Sequence, residues 1–401
     1  MRAVVLAAGE GRRMRPLTYT RPKVMLPIGG RPILEHLLLN LREAGIRKLT
    51  FVVGYSADKV REHFGNGGKW GVEIDYVLQK RQLGTAHALG TVGEFLRGEQ
   101  FLLLNGDMIV GVEDLERIPK RKPPVMGLFE GGVREDVGLV EVDEGRVKKI
   151  YEKEKEAPSE LINAGVYLLD GRIFESISRL SPSPRNEYEL TDALQLLVDE
   201  GVEVGWERVR EWMDMSYPWD LLQANKLLLQ HLNPDNLGEV EEGVVIKEPV
   251  RIGRGTVVRF GSYIVGPTII GEGCEIGPNC YIRPFTVIGD ECHVGAACEV
   301  KNSIIMRGTK IPHHNYVGDS IIGEECNLGA GTKIANLRLD KKSVVIEGKD
   351  TGRRKLGAVI GDRVEVGINA SINVGALIGN DSLIGPGALV SGVILPHSMF
   401  I

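Results

Sequence analysis

Apolar residues in the C-terminal half of the chain recur every six positions. Val240, Ile246, Ile252, Val258, Ile264, Ile270, Ile276, Ile282, Ile288, Val294 and Val300 are all β-branched. The phase then breaks, returns at Ile322, Leu328 and Ile334, breaks again, and runs on through Ile360, Val366, Ile372, Ile378, Ile384 and Val390. Gly often follows the aliphatic residue, as in IGEGCEIGPNCY and IGNDSLIGPGAL. This period predicts short strands joined by glycine-containing corners, three to a coil, with coils stacked at roughly the 4.8 Å strand spacing. Each coil buries its apolar face only against its neighbours, which is the logic of a β-helix.

The N-terminal half has other periods. RAVVLAAG is an apolar run ending in Gly, as expected of a strand buried on both faces. PILEHLLLNLREAGI has helical periodicity, with Gly45 as its stop. KLTFVVGY, IDYVLQ and QFLLLNGD read as further strands, and DKVREHFG and TAHALGTVGEFL as helices between them. Such alternation predicts an α/β Rossmann-like domain: a mostly parallel sheet with helices on both faces. A last helical pattern, Leu221 to Asn233, joins it to the repeats. The expected domains are 1–220, a linker helix within 221–238, and 239–401.

Composition changes this picture only at the margins. The 401 residues are 43% hydrophobic and 26% charged, with a net charge of −5, so the basic excess of a nucleic-acid binder is missing. No run approaches the roughly 20 apolar residues of a membrane span. The first apolar run is short and leads into arginines, unlike a signal peptide. A cytoplasmic protein with no nucleic-acid or membrane partner is expected. Cys274, Cys280, Cys292, Cys298 and Cys326 each lie four residues after an aliphatic repeat position, a phase shared with Thr256, Thr286 and Ala388. They read as small buried hydrophobes.

Candidate chemistry begins at the first strand's end. Gly9 and Gly11 are followed by Arg12, Arg13, Arg15, Arg21 and Lys23. Glycines let backbone N–H groups approach an anion closely, and a cationic cluster suits a polyphosphate. The spacing is neither G-x-G-x-x-G nor a Walker P-loop.

The run LAAGEGRRM…TRPKVMLPIGGRPILEH, followed in order by LQKRQLGTAHAL, LLNGDM, YEKE, INAGVYLL, NEYELTDAL and WMDMSYPWD, resembles the sugar-1-phosphate nucleotidyltransferases. With the repeats behind it, the chain resembles the family of bifunctional UDP-N-acetylglucosamine pyrophosphorylases/glucosamine-1-phosphate acetyltransferases, particularly its archaeal members. The repeat domain is similar to the left-handed parallel β-helix of hexapeptide acyltransferases, and the handedness rests on that resemblance.

The resemblance implies site residues. Leu6, Ala8, Gly9 and Gly11 would bind the nucleotide, with Arg13 on the departing pyrophosphate and Lys23 near the reacting phosphate. Gln79, Gly84 and Thr85 would read the base. A glutamine amide can accept from a pyrimidine N3–H and donate to a neighbouring carbonyl, which points to UTP or dTTP. Asp107 and Asp214 would hold Mg²⁺, a hard cation that suits carboxylates and phosphate oxygens. Gly138, Glu152, Asn163 and Gly165 match sugar-binding positions, and Lys153 a second phosphate-contacting lysine.

In the repeats, VKNSIIMRGTKIPHHNYVGDS carries the family's H-x-x-Y-x-G-D as His313, Tyr316, Gly318 and Asp319. His314 is the adjacent rival. Neighbours in extended chain point to opposite faces, and the spacing selects His313 as the base. Arg283 and Lys301 match sugar-phosphate contacts, Tyr316 and Asn336 the acceptor site, and Asn327 with Ala330 the acetyl-CoA side. A homotrimer is implied, with glucosamine 1-phosphate and N-acetylglucosamine 1-phosphate as further substrates. The chain departs from the family in three places: Arg12 stands where Ser or Thr is usual, Leu337 replaces Tyr, and LDKKSVVIEGKDTGRRKL is longer and more basic than the bacterial loop. Two other readings fit the same residues: a glucose-1-phosphate thymidylyltransferase or uridylyltransferase with a purely structural trimerising β-helix, and a non-catalytic regulatory subunit.

Overall fold

The computed structural model describes residues 1–96, 98–131, 137–152 and 158–401. The chain forms two compact units. One comprises Met1–Glu10, Arg21–Met25 and Ile33–Asp214; the other comprises Gly11–Thr20, Leu26–Pro32 and Met215–Ile401.

The first unit is built on a nine-stranded sheet. Its strands are β1 (Arg2–Ala7), β2 (Lys48–Val53), β3 (Glu73–Leu78) and β4 (Phe101–Asn105), then β6 (Val125–Glu130), β7 (Gly138–Asp143), β8 (Arg146–Glu152), β9 (Leu161–Leu169) and β10 (Gly205–Val209). The spatial order is β3-β2-β1-β4-β9-β6-β10-β8-β7. Two further strands, β5 (Met108–Val110) and β11 (Trp212–Asp214), pair with each other.

Period-two side-chain geometry explains the apolar run of β1. Ala3, Val5 and Ala7 enter one core with Leu34, Leu37 and Leu41 of α1 (Ile33–Glu43) and Val60 of α2 (Ala57–Phe64). Val4 enters a second core with Leu89 of α3 (Thr85–Gly90), Ile173 of α5 (Arg172–Ser178) and Leu194 of α6 (Leu190–Asp199). Both faces of the sheet are therefore covered. The short α4 (Val112–Arg117) adds Leu115 to the first core.

The expected parallel sheet holds across β3, β2, β1 and β4. Beyond β4 the sheet is mixed. Strand β9 runs antiparallel to β4 and β6, and β7 and β8 form a hairpin. The hairpin turn at Glu144-Gly145 has positive φ at both residues, the conformation that matches the twist of paired strands. The expected TAHALGTVGEFL helix is broken: α3 stops at Gly90 and a separate 3₁₀ turn spans Gly93–Phe95. There Thr91 Oγ1 donates back to the Ala88 carbonyl at 2.6 Å, competing with the helical ladder.

The second unit contains α7 (Pro218–Leu229), which starts three residues before the pattern suggested and ends four earlier. It is followed by a three-sided parallel β-helix, whose faces are sheets of nine, nine and eight short strands. The six-period residues form its core from Ile252 to Val390, with Val240 and Ile246 packed against it. The first phase break is a shortening and leaves the coil intact. Ile270 pairs with Ile288, but Ile288 pairs with Ile305 and Ile305 with Ile322, each a residue short. Ile305, Ile311 and Val317 remain buried in the core. The second break is an insertion. Its base is the Leu337–Lys355 bridge and its tip a hairpin of Val345–Ile346 on Lys349–Asp350.

Small residues at the fifth repeat phase have a shared task. Thr256 Oγ1 donates to the Gly271 carbonyl at 2.6 Å and accepts from Cys274 N at 2.9 Å; Cys274 Sγ donates to the Gly289 carbonyl at 3.0 Å. Each side chain thus ties its coil to the next. All five cysteines are free and buried.

Candidate functional site

In the first unit the candidate residues gather at the C-terminal ends of the parallel strands, where an open α/β sheet binds ligands. Leu6 and Ala8 lie at the end of β1, followed by Gly9. A Cβ at Gly9 would meet nothing within 4 Å. The fold does not require glycine there, whereas close approach of a ligand to the backbone would.

Lys23 Nζ donates to Asp107 Oδ2 at 2.7 Å. Lys23 is only 8% exposed, while the Asp107 side chain is 35% exposed and can meet a ligand. Asp107 follows β4, and the β5–β11 ladder sets Asp214 opposite Met108, the next residue. Two carboxylates are thus supplied from neighbouring register positions, with oxygen as the only donor type, a set suited to a hard cation completed by phosphate oxygens. Among the described residues no group of three or more His, Cys, Asp or Glu forms a closed metal cage.

Gln79 is 3% exposed, and its Nε2 donates to the Gly84 carbonyl at 3.2 Å and lies 2.9 Å from His87 Nδ1. The amide nitrogen therefore fixes the Gly84 turn, leaving the oxygen as its available group. Gly84 has φ +103°, and a Cβ would lie 2.5 Å from the Tyr188 carbonyl oxygen. Thr85 Oγ1 accepts from Leu190 N at 2.9 Å, at the start of α6. The two sequence motifs LQKRQLGTAHAL and NEYELTDAL are one structural unit.

Gly138, Glu152 and Asn163 also converge. Gly138 pairs with Glu152 across the hairpin, and a Cβ there would lie 3.0 Å from Glu152 Oε2 and 3.6 Å from Asn163 Cβ. Asn163 Nδ2 donates to Tyr167 Oη at 2.8 Å. Gly165, at φ +69°, packs on the side chain of Asn105 beside the NGD turn. Lys153 lies outside the described residues. Two residues with no role in the sequence reading complete the cluster: Arg185 donates to Glu152 at 3.3 Å and to Glu189 at 2.8 Å. Asp192 beside them is held above the usual carboxylate range by burial and by the charges of Glu189 and Glu152.

The second unit carries the remaining candidates. Gly11, at φ +77°, starts the 3₁₀ turn Arg12–Met14 and accepts from Met14 N at 2.9 Å and Thr18 Oγ1 at 3.0 Å. The Arg13 guanidinium lies 5.3 Å from the Tyr217 ring centroid.

On the eight-stranded face, Tyr281, Glu299, Tyr316 and Lys333 stack in register, and Lys301 stacks on Gly318. Arg283 donates to Glu299 at 2.8 Å. Lys301 Nζ donates to Asp319 Oδ2 at 3.2 Å. Asn336 Nδ2 donates to the same oxygen and, at 3.1 Å, to Tyr316 Oη. Gly318 makes room for this, since a Cβ would lie 2.6 Å from both Asn336 Nδ2 and Tyr316 Oη. Lys301, Tyr316 and Asn336 therefore form one polar cluster with the buried Asp319, and Arg283, paired with Glu299, lies on the same face.

His313 and His314 occupy the corner leading into this face, and both are exposed. The extended-chain alternation expected for them is corrected by the structure. His314 sits at φ +51°, the left-handed corner position that Gly331 occupies one coil later. His313 stacks on Ala330 at that corner, its carbonyl accepting from Gly331 N at 2.9 Å. Asn327 lies on the preceding face, where Nδ2 donates to Glu365 at 3.1 Å. Within one chain it is apart from the Lys301–Asn336 cluster.

Residues 2–231 match the nucleotidyl transferase family, and residues 264–368 the GMPPB C-terminal domain. The chain is 44% identical to the bifunctional protein GlmU of Methanococcus maripaludis strain C7, over 99% of this chain and 96% of that protein. The chain belongs to the bifunctional GlmU family. It is an enzyme of the sugar-1-phosphate nucleotidylyltransferase/acetyltransferase type. A second family member, from Sulfurisphaera tokodaii, named as a bifunctional sugar-1-phosphate nucleotidylyltransferase/acetyltransferase, is 41% identical over 98% of this chain and 97% of its own. Among solved structures, a putative glucose-1-phosphate thymidylyltransferase from Bacillus anthracis in complex with a sucrose is similar at 28% identity. The TM-score is 0.52, covering 59% of this chain and 97% of that one. No described helix of this GlmU-family chain is long and apolar enough to cross a membrane.

Proposed function

We propose that the chain acetylates the amine of glucosamine 1-phosphate with acetyl-CoA and couples N-acetylglucosamine 1-phosphate to UTP, releasing pyrophosphate. The observation that carries this reading is the cluster of Lys301, Tyr316 and Asn336 with Asp319, on the same face as the Arg283–Glu299 pair. A β-helix serving only assembly has no need of two cations, a phenol and an amide gathered on one face.

In nucleotidyl transfer, a sugar phosphate oxygen attacks the α-phosphorus and the bond to pyrophosphate breaks. Both reactants are anions, so positioning and charge neutralisation dominate. Lys23 neutralises the reacting phosphate and Arg13 the leaving group. Mg²⁺, held by Asp107 and Asp214, supplies further charge neutralisation on the phosphate oxygens when bound. Gly138, Glu152, Asn163 and Gly165 hold the sugar, with the Gln79–Gly84–Thr85 turn against the base.

In acetyl transfer, the amine attacks the thioester carbonyl, the CoA thiolate leaves, and His313 accepts the amine proton. Arg283 and Lys301 bind the sugar phosphate, and Asn336 and Tyr316 orient the acceptor. Asn327 and Ala330 contribute the acetyl-CoA side, in a site that lies between subunits of a homotrimer. Separability tests the reading. Asp107→Ala should lose UDP-sugar formation and keep acetyl transfer, and His313→Ala should do the reverse. Parallel loss of both activities in two folded variants would contradict two independent sites.

A further inference from the structure

Two of the chain's departures from its family pattern, Arg12 and the long basic insertion, meet in one place. A cavity of about 430 Å³ in the second unit is lined by Arg12, Arg13 and Arg15, by Tyr217 and Trp219 at the start of α7, and by Lys349 of the inserted hairpin. Its floor is apolar, including Leu377 and Ile394, and it holds a single carboxylate, Glu347.

The polar geometry is unbalanced. Lys349 Nζ donates to Tyr217 Oη at 2.8 Å and lies 4.2 Å from the ring centroid. Arg13 hydrogen-bonds the same hydroxyl. Burial pushes this phenol up, but the bonds from Lys349 and Arg13 hold it below the usual range. Among the described residues neither Lys349 nor Arg13 has a carboxylate partner, so two cations share one neutral oxygen. The ring of Tyr217 is itself fixed by stacking on Trp219, with centroids 4.8 Å apart and planes at 2°. A concave, aromatic-walled site with clustered cations and a shared weak acceptor is built to exchange that acceptor for phosphate oxygens.

We propose that this cavity is a polyphosphate-binding site in which Lys349 and Arg12 extend the reach of Arg13, and that it takes pyrophosphate. The proposal rests on the nucleotidyl-transfer reading for the source of that ligand: either the leaving group of the chain's own reaction or the phosphates of a separate nucleotide.

The test is calorimetric titration of the full-length protein with inorganic pyrophosphate. It is repeated on Lys349→Ala and Lys349→Arg, with tryptophan emission reporting on Trp219. Saturable binding with a change in emission is expected. Lys349→Ala should weaken it about tenfold, the value of one charge-assisted hydrogen bond, and Lys349→Arg should restore it. Pyrophosphate displaced by saturating UTP assigns the site to the chain's own leaving group; undiminished binding beside UTP assigns it to a separate nucleotide. An unchanged dissociation constant in Lys349→Ala, or no binding at all, overturns the proposal. Uridylyl transfer by the wild-type protein is scored separately. If it is present while Lys349→Ala binds pyrophosphate normally, only this inference fails. If it is absent, the nucleotidyl-transfer reading fails while the binding result still decides the site.

Discussion

Lys23 and Asp107 form an ion pair at 2.7 Å across 84 residues of sequence, with the lysine nearly buried and the carboxylate open on one side. An ammonium held this way is positioned before any phosphate arrives, and the carboxylate beside it remains partly exposed to solvent. Lys23→Ala and Asp107→Asn should each lower nucleotidyl transfer by about 10²–10³-fold, the scale of removing one preorganised electrostatic contact. Acetyl transfer by both variants should stay at the wild-type rate, measured with the same protein preparation.

Gly9 and Gly84 separate ligand demands from fold demands. Gly9→Ala meets no protein atom, so its melting temperature should match the wild type while KM for UTP rises. Gly84→Ala drives a methyl against the Tyr188 carbonyl in a left-handed backbone, so it should destabilise the unit by about 1–3 kcal/mol as well as impair nucleotide binding. Thermal melts beside steady-state kinetics distinguish the two. A stabilised or unchanged Gly84→Ala would contradict the packing described.

The histidine corner gives a third expectation. His313→Ala should cut acetyl transfer by about 10²–10⁴-fold, the usual worth of a general base. His314→Gly occupies a left-handed position where glycine carries no Cβ penalty, so it should keep acetyl transfer and gain stability of about 1 kcal/mol. A reversed pattern would make His314 the base.

Much of this was readable in the chain, and the exceptions have physical causes. The six-residue period exposes the β-helix because every coil repeats the same inward position. The breaks after Val300 and Ile334 look alike in sequence, yet one is two successive coils each a residue short and the other an inserted hairpin. Periodicity counts residues and does not see that Ile305, Ile311 and Val317 keep the core continuous. Alternation misjudged His313 and His314 because it applies to strands, and the pair sits in a corner. The Gln79–His87 contact and the Arg185–Glu152 pair left no signal, since a single sequence carries no record of which distant side chains meet. The resemblance motifs supplied Asp107 and Asp214; only the β5–β11 ladder explains how they become neighbours.

Asp192 yields a pH dependence. Burial, then the charges of Glu189 and Glu152, raise its folded value, so its ionised form opposes folding. That cost is full above the folded value and vanishes as pH falls below the unfolded one. Asp192→Asn should therefore raise the melting temperature at pH 7–8 and lose this advantage toward pH 4. A melting series across that range measures it.

One chain is proposed to run two chemistries at two sites. The most direct measurement is one reaction holding the protein, glucosamine 1-phosphate, acetyl-CoA, UTP and Mg²⁺, with every product identified by mass. UDP-N-acetylglucosamine, free CoA and pyrophosphate are the predicted products, with N-acetylglucosamine 1-phosphate as the intermediate when UTP is left out. Uridylyl transfer to supplied N-acetylglucosamine 1-phosphate, with no CoA released from acetyl-CoA and glucosamine 1-phosphate, would contradict it and leave the β-helix as a scaffold.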